Sequence, residues 1–513
     1  MIKKLFRPIS TGNASALIAF ASMLSYVVGL LRDRTIAVHF GTSTATDTYN
    51  ASFLIPDMLF NLFIAGALVA AFMPVFSDYL IKNKEEAYKV GNTVLTGASI
   101  LISILAVIAF IFMGDIVPTL FPSITPEGQA NIIGMTRVLL PAALIFAISN
   151  TLGNILMTYR HFLAFAISPV LYNLGIILGV VFLNEEFGIY SASIGVLIGS
   201  ILHLLIRILE ITRTSYKFKP ELQFRHPGIK KIVKLMIPKS ISLIAWQANL
   251  YIFSIVGMRM AVGGFAAFNF ARNIQSFAVS LFGISFATAV FPALNAAINR
   301  GDKADFTKNI QTTIERVLFF TVPAAVGLLL LSEPVTDLIL SGGEFGEESK
   351  RLTSIILTFF ALSIPFEGLI PIFAKAFYAM KNTITPMIIN VISLTFVAMI
   401  TIFVAPKYGI EWFSIGFTTG FVIYNILFVA LLRKSLTGFK LKRFLVTFVK
   451  ILIASGLMGV SIYYTLDINL GIHTALSGVI IGAVIYILTA YILKIEELKS
   501  VDILFKRIFK KYE

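Results

Sequence analysis

Long apolar stretches separated by short polar segments form the main pattern of this chain. A helix of about 20 apolar residues crosses the hydrocarbon core of a membrane. The pattern predicts about fourteen such spans. Their predicted limits are 15–39, 49–77, 91–113, 132–157, 162–183, 190–212, 237–261, 265–293, 312–332, 352–379, 384–404, 412–432, 445–465 and 473–493. We therefore predict an all-α integral membrane protein.

Composition agrees with this class and excludes a soluble globular domain. Of the 513 residues 57% are hydrophobic and only 13% are charged, and the mean hydropathy is +0.87. The chain has no cysteine, which excludes disulfides and thiolate-bound metals. Its basic start leads directly into a full-length span, so no cleavable signal peptide is expected.

The basic residues lie mainly on one predicted side of the membrane. If the N-terminus is cytoplasmic, 31 of the 42 Lys and Arg fall in the tails and the even-numbered loops. Only Lys350, Arg351 and Lys407 fall in the opposite loops. This asymmetry predicts an even number of spans with both termini in the cytoplasm. Topology and contact with anionic membrane lipids then explain the net charge of +15, and no nucleic-acid partner is expected.

Two pairs of prolines at matching positions indicate an internal repeat. Pro74 and Pro292, at the ends of the second and eighth spans, lie 218 residues apart. Pro169 and Pro386, at the starts of the fifth and eleventh spans, lie 217 apart. Six spans per repeat give both halves the same orientation, which predicts two six-helix lobes related by a parallel pseudo-two-fold axis.

The repeat also predicts the limits of the domains. The N-terminal lobe covers 1–213, and a basic cytoplasmic linker with an amphipathic helix covers 214–239. The C-terminal lobe covers 240–434, and 435–513 contributes two extra spans and a basic tail. A substrate path between the lobes is expected.

Charged residues inside the spans are the first candidates for function. A charge at the centre of a membrane helix costs about 2.5–3.5 kcal/mol, so it needs a polar cavity or a partner. Arg32, Asp33 and Arg34 are adjacent in the first span, and Arg272 lies in the eighth. Asp33 offsets only one of the three arginines, so a cavity that they share would bind an anion.

Polar residues of the second and eighth spans extend this candidate set. Asp57 and Asn61 are four residues apart and therefore share a helix face. Arg272 and Gln275 are three apart and can also share a face, whereas Asn273 points elsewhere. The alternative for the first group is a plain packing face, and the alternative for the second is a satisfied interhelical hydrogen-bond cluster.

No enzyme signature is found along the chain. It has no Walker loop, no HExxH and no Cys/His cluster, and no loop carries a convincing set of acid and base residues. We therefore predict no catalytic residue, no bound metal and no cofactor. Transport fits the pattern better than catalysis.

Two stretches resemble a known family. GLLRDRTIAVHFGTSTATDTYNASFLIPDMLFNLFIAGALVAAFMPVFSDY (29–79) is similar to the opening signature of the MurJ (MviN) family of lipid II flippases. FARNIQSFAVSLFGISFATAVFPAL (270–294) is similar to its eighth helix. The family belongs to the wider superfamily of multidrug and polysaccharide exporters, and the resemblance extends over the whole length of the chain.

The resemblance implies an alternating-access transporter in the bacterial cytoplasmic membrane. Its substrate would be the undecaprenyl-pyrophosphate-linked peptidoglycan precursor, moved from the inner to the outer leaflet, and cell-wall synthesis proteins are candidate partners. By position, Arg32, Asp33 and Asp47 match the family's first-helix region. Arg32 would bind the pyrophosphate with its planar fork. Asp33 would position the arginines, and Asp47 would gate the outer mouth.

The chain also departs from the family pattern. Many members carry an arginine pair where this chain has Phe60 and Asn61, and a glutamate where it has Ala65. In the eighth helix Arg272 precedes Asn273, the reverse of the usual order. One position on a helix is a rotation of about 100°, which turns Arg272 to a different direction.

Three other functions stay open. One is export of another lipid-linked oligosaccharide or of drugs, although buried arginine speaks against a drug cation. The others belong to different classes: a non-transporting membrane scaffold and a membrane-embedded transferase.

Overall fold

The apolar segments form α-helices, since a backbone inside a membrane must satisfy its own hydrogen bonds. The computed structural model describes residues 11–61, 67–433, 436–467 and 473–498. In chain order the helices are α1 (Thr11–Phe40), α2 (Thr44–Ser52), α3 (Leu54–Phe60), α4 (Ala67–Lys82), α5 (Lys84–Leu120), α6 (Pro126–Thr158), α7 (Leu163–Phe187), α8 (Tyr190–Ile211), α9 (Pro227–Met260), α10 (Gly264–Ala278), α11 (Ser285–Asn299), α12 (Lys303–Leu330), α13 (Ser332–Leu340), α14 (Glu347–Ala361), α15 (Ile364–Ala379), α16 (Ile384–Phe403), α17 (Ala405–Tyr408), α18 (Trp412–Leu432), α19 (Leu441–Asp467) and α20 (His473–Ile492). A π-helical turn, Val279–Ile284, joins α10 to α11.

The structure confirms the all-α membrane class but not the count of fourteen spans. In the described residues, 11 helices are long and apolar enough to cross a membrane, with α10 and α11 taken as one. The bent pair α14 and α15 adds a twelfth if it is a single span. The first two predicted spans correspond to α1 and to the broken series α2–α4, which are not among these helices.

The second predicted span is interrupted near Pro56, where Phe53 separates two helices while keeping helical dihedral angles. Pro56 has no N–H for the carbonyl of Ser52, and its ring collides with that carbonyl. Helix α2 therefore ends at Ser52, and α3 begins two residues later at Leu54. The Thr136 hydroxyl, on α6, donates to the Ser52 carbonyl oxygen at 3.1 Å and replaces the missing bond. Ala65 lies outside the described residues.

The predicted linker is only partly separate from the seventh span. Helix α9 starts at Pro227 inside the linker and continues through the span as 34 residues. The His226 side chain accepts from the backbone N–H of Gly228 at 3.0 Å and so caps the start of α9. Earlier in the linker, the buried Tyr216 donates to Asn92 Oδ1 on α5 at 2.6 Å, which attaches this part of the linker to α5.

Two compact units make up the chain. The first comprises Met1–Ala266 with Gly342–Gly346, and the second comprises the remainder. Helix α9, predicted as the first span of the C-terminal lobe, therefore belongs to the first unit. The first core is centred on side chains such as Phe72 and Phe76, and the second on Phe319 and Phe428. The pseudo-two-fold relation between the lobes stays a prediction.

Glycines allow close helix packing within each unit. Gly199 of α8 meets the backbone of α7 at Tyr172 and Gly175, where any Cβ atom would collide with the Tyr172 carbonyl. In the second unit Gly416 of α18 faces Ile400 of α16. Gly199 and Gly416 are 217 residues apart, the same offset as one of the two proline pairs, which supports the predicted repeat.

Candidate functional site

In the first unit Arg32 is paired with its neighbour in sequence. The guanidinium folds back along α1, so that Nε and Nη2 both donate to Asp33 Oδ1, at 3.0 and 2.6 Å. The Asp33 side chain is buried, with 6% of its surface exposed, whereas 23% of the Arg32 side chain is exposed. Asp33 thus offsets part of the cost of burying the arginine and sets its direction. Arg34, two residues on, is half-buried.

Helix α7 supplies a second partner for Arg32. Arg32 Nη1 donates to Asn173 Oδ1 at 3.0 Å. The Asn173 amide is itself held, because its Nδ2 donates to the Pro169 carbonyl at 3.1 Å and to the Ser25 carbonyl at 3.5 Å. These bonds use three of the roughly five N–H groups of a guanidinium, so about two N–H groups of Arg32 have no hydrogen-bond partner among the described residues.

Asp57 lines a small, mostly apolar cavity of the same unit. Asp57 is on α3, and the backbone N–H of Asn61 donates to the Asp57 carbonyl, so the two residues share a helical turn as predicted. The cavity measures about 30 Å³, enough for a water molecule. It is lined by Phe53, Pro56, Asp57, Phe60, Leu139, Ala142, Ala143, Phe146, Tyr172 and Val196. Phe60, at a position where the family carries arginine, makes this part of the wall apolar.

Asp47 contacts the start of α10. Its Oδ1 accepts from Ala266 N at 2.8 Å and its Oδ2 accepts from Gly263 N at 2.9 Å. A carboxylate at a helix N-terminus satisfies unpaired N–H groups and interacts favourably with the helix dipole. Gly263 has a φ of +74°, and a Cβ atom there would collide with the Thr42 carbonyl, so the turn requires glycine. In this arrangement Asp47 fixes the turn before the eighth span.

In the second unit Arg272 forms a polar cluster with α15. Its Nη2 donates to Glu367 Oε1 at 2.6 Å and its Nη1 donates to Glu367 Oε2 at 2.7 Å. Nη1 also donates to Gln275 Oε1 at 2.6 Å, which places Arg272 and Gln275 on one face as predicted. The Gln275 amide donates to Ser363 Oγ at 3.0 Å and to Glu367 Oε2 at 2.9 Å. Asn273 is half-buried beside this cluster.

Pro365 determines where the α15 side of this cluster lies. Pro365 has no N–H for the Ala361 carbonyl, so α14 ends at Ala361 and the chain bends by 50° before α15. The bend places Ser363 and Glu367 where the Gln275 and Arg272 side chains reach them.

Three residues of these clusters are absent from the sequence-based candidates: Asn173, Ser363 and Glu367. Glu367 stands alone in the tenth predicted span, and an isolated acid between apolar residues is itself a signal of a buried partner. Their roles depend on helix pairs that sequence spacing does not reveal.

The clusters change the predicted charge balance. Asp33 pairs with Arg32 and Glu367 pairs with Arg272, so two of the three arginines are neutralised within their own unit. An anionic ligand can bind an arginine in two ways: through N–H groups that the arginine has not used, or by displacing the paired carboxylate. Arg32 is suited to the first way, because Asp33 and Asn173 hold it in place.

Comparison with known proteins places the chain in a defined group. The family model described as "Lipid II flippase MurJ" matches residues 36–485. A lipid II flippase MurJ of Thermosipho africanus is 29% identical over 480 residues, covering 93% of this chain and 95% of the relative. One of Burkholderia cenocepacia is 25% identical over 425 residues, covering 80% and 82%.

Solved structures agree with the helical architecture. A structure titled "Lipid II flippase MurJ, inward closed conformation" has a TM-score of 0.79 and 25% identity, with 93% of this chain and 98% of that chain covered. An inward-facing multidrug transporter of the MATE family has a TM-score of 0.68 at 16% identity, covering 81% and 95%. The second likeness concerns the fold alone.

Proposed function

Because this chain belongs to the family of the lipid II flippase MurJ, we propose that it moves lipid II from the inner to the outer leaflet of the cytoplasmic membrane by alternating access. Membership makes it a multi-pass membrane transporter of a lipid-linked peptidoglycan precursor. Direction and mechanism are the parts that we add. Transport, rather than catalysis, is the activity that we assign to it.

The geometry of Arg32 carries the assignment of the binding site. A pyrophosphate is a polyanion, and a guanidinium binds it with two parallel, charge-assisted hydrogen bonds. Arg32 is held from two sides by Asp33 and Asn173 and has two N–H groups left. Preorganisation of this kind reduces the entropy lost when the ligand binds. Arg32 would therefore contact the pyrophosphate, with Arg34 adding charge nearby.

The other site residues have distinct proposed roles. Asp33 positions Arg32, while Asp57 and Asn61 on α3 face the sugar and peptide part of the precursor. Arg272, Asn273 and Gln275 form the counterpart in the second unit, where Glu367 holds Arg272 until an anion competes for it. Asp47 controls the start of the eighth span through its two backbone bonds.

Topology and partners complete the proposal. The excess of basic residues in the tails and even-numbered loops supports a cytoplasmic location for both termini. The same residues would contact anionic lipids on that side. Proteins that use lipid II for cell-wall synthesis are the partners that this activity requires in the outer leaflet.

Replacement of a host bacterium's own flippase tests the function. Cells that depend on this chain are expected to grow and to present lipid II in the outer leaflet, measured by its accessibility to an external lipid II-degrading enzyme. Retention of the precursor in the inner leaflet despite normal membrane insertion would overturn the lipid II assignment.

Variants of two arginines test the site. Arg32→Ala is expected to abolish rescue, and Arg32→Lys to restore only part of it, because lysine keeps the charge without the planar fork. Arg259→Ala is the control, since Arg259 is exposed and, among the residues that the structure describes, donates to the Ser123 hydroxyl at 2.8 Å. Equal rescue by Arg32→Ala and Arg259→Ala would show that Arg32 is outside the binding site.

A further inference from the structure

A second cavity lies in the second unit, at the start of α19 and the end of α20. Its volume is about 500 Å³, within the range of small-ligand sites. Five basic side chains and one acid line it: Lys440, Lys442, Arg443, Lys450, Lys494 and Glu496. None of them belongs to the candidate transport site.

The charges of this cavity are only partly balanced. Arg443 Nη2 lies 3.1 Å from Glu496 Oε2 and 3.4 Å from Glu315 Oε2. A third acid, Glu497, is adjacent and buried, and its burial raises its pKa and so disfavours its negative charge. Five bases therefore face three acids, of which one is weakened. The excess positive charge requires an anion or bulk water.

Buried polar groups of α12 hold the floor of the cavity in place. The Gln311 side chain forms two hydrogen bonds with the backbone of Lys440: its Oε1 accepts from Lys440 N at 3.0 Å, and its Nε2 donates to the Lys440 carbonyl at 3.3 Å. The same Nε2 donates to Glu315 Oε1 at 2.8 Å, and both side chains are buried. Glu315 in turn orients Arg443. The Lys440 backbone and the Arg443 side chain are thus held by buried groups, whereas the side chains of Lys442 and Lys494 are exposed.

An apolar stripe runs from the cavity along α19. Leu445, Val449, Leu452 and Ile453 follow helical spacing, and each has about half of its surface exposed, from 46% to 51%. Such a stripe on a membrane span faces lipid chains. A basic cavity at its end coincides with the depth at which phosphate headgroups lie.

We propose that this cavity binds the phosphate headgroup of an anionic phospholipid, with an acyl chain along the stripe of α19. A phosphodiester accepts hydrogen bonds from several ammonium and guanidinium groups at once, which suits a cavity lined by five basic residues. A free phosphate shares this chemistry but makes no use of the apolar stripe. The site is independent of the precursor and of its transport.

Lipid binding to the purified full-length protein tests the proposal. The protein in mild detergent is titrated with phosphatidylglycerol, with phosphatidylcholine and with inorganic phosphate, and bound lipid is counted by native mass spectrometry. Phosphatidylglycerol is expected to bind preferentially. Lys442→Gln with Lys450→Gln is expected to weaken its binding by about 30-fold, since each lysine near an anionic lipid contributes a factor of roughly five.

A matched double variant controls for charge. Arg351→Gln with Lys407→Gln removes the same charge from exposed positions of the same unit that fall in the opposite loops, and is expected to leave binding unchanged. Thermal unfolding confirms that both double variants fold. Equal loss in both, or no preference for phosphatidylglycerol over phosphatidylcholine, would overturn the proposal. Full competition by millimolar phosphate would also overturn it, in favour of a free-anion site. None of these readouts involves lipid II, so they are separable from the flippase assays.

Discussion

Glu367 and Arg272 form a two-pronged ion pair between α15 and α10, with N–O distances of 2.6 and 2.7 Å. The two groups lie 95 residues apart in sequence, and 14% of the Glu367 side chain and 18% of the Arg272 side chain are exposed. The pair gives the charged residue of the eighth span a partner within its own unit. An anion that binds Arg272 must therefore displace the Glu367 carboxylate.

Removal of either partner should harm the protein more than removal of both. Arg272→Ala removes the cationic partner of Glu367, and Glu367→Ala removes the anionic partner of Arg272, so each single change leaves one charge with only neutral Gln275 from this cluster. Each single change is expected to cost about 3 kcal/mol, whereas the double variant removes both charges and should be no less stable than either single variant. Unfolding temperatures in detergent provide the measurement. Losses that simply add would mean that the two charges do not interact.

Asn173→Ala should weaken transport with little effect on folding. The change removes the amide acceptor of Arg32 Nη1 and lets the guanidinium leave its direction. A hydrogen bond to a charged group contributes about 1.5–3 kcal/mol, which corresponds to a loss of transport of roughly tenfold or more. The rate of lipid II appearance in the outer leaflet gives the result. Asn309→Ala is the control, because within the described part of the chain the Asn309 side chain bonds to Asp305 of its own helix and to no other residue.

Variants of Asp47 separate its charge from its hydrogen bonds. Asparagine keeps one carbonyl oxygen for Gly263 N or Ala266 N, whereas alanine keeps none. Loss of an N-terminal cap costs about 0.5–2 kcal/mol, so we expect stability to fall from wild type to Asp47→Asn to Asp47→Ala. Transport should fall in the same order if Asp47 controls the start of the eighth span. Stability that is equal in all three proteins would contradict the observed contacts.

The sequence is sufficient to predict the class and one half of the site. Arg32 and Asp33 are visible because charges inside an apolar span are costly wherever they lie. Glu367 needs the partner helix, since no periodicity links residues on α10 and α15. Its position also depends on the bend at Pro365, where the missing N–H of proline ends the preceding helix.

The number of spans is harder to predict for a related reason. Apolar length alone does not show where a helix stops, so the second predicted span reads as continuous although Pro56 breaks it at Ser52. For the predicted linker the difference is the reverse: the structure has one continuous helix where the sequence suggests a boundary. The basic residues of the linker suggest a separate segment, but Pro227 is a favourable first residue for a helix, and α9 runs on into the membrane.

Close packing of α7 and α8 makes a last, matched prediction possible. Gly199 meets the Tyr172 carbonyl so closely that a methyl group has no room, because the obstacle is backbone rather than a flexible side chain. Gly199→Ala must push the two helices apart and is expected to cost about 2–3 kcal/mol, within the range for overpacked sites. Gly114, also within a helix, has no atom within 4 Å of its would-be Cβ, so Gly114→Ala is expected to stabilise by up to about 1 kcal/mol. Because Tyr172 precedes Asn173, the shift should also displace the partner of Arg32 and lower transport for Gly199→Ala alone. Unfolding temperature and lipid II flipping, measured on both variants, decide the matter: a fall in both for Gly199→Ala and in neither for Gly114→Ala supports the packing, and the same response from both variants contradicts it.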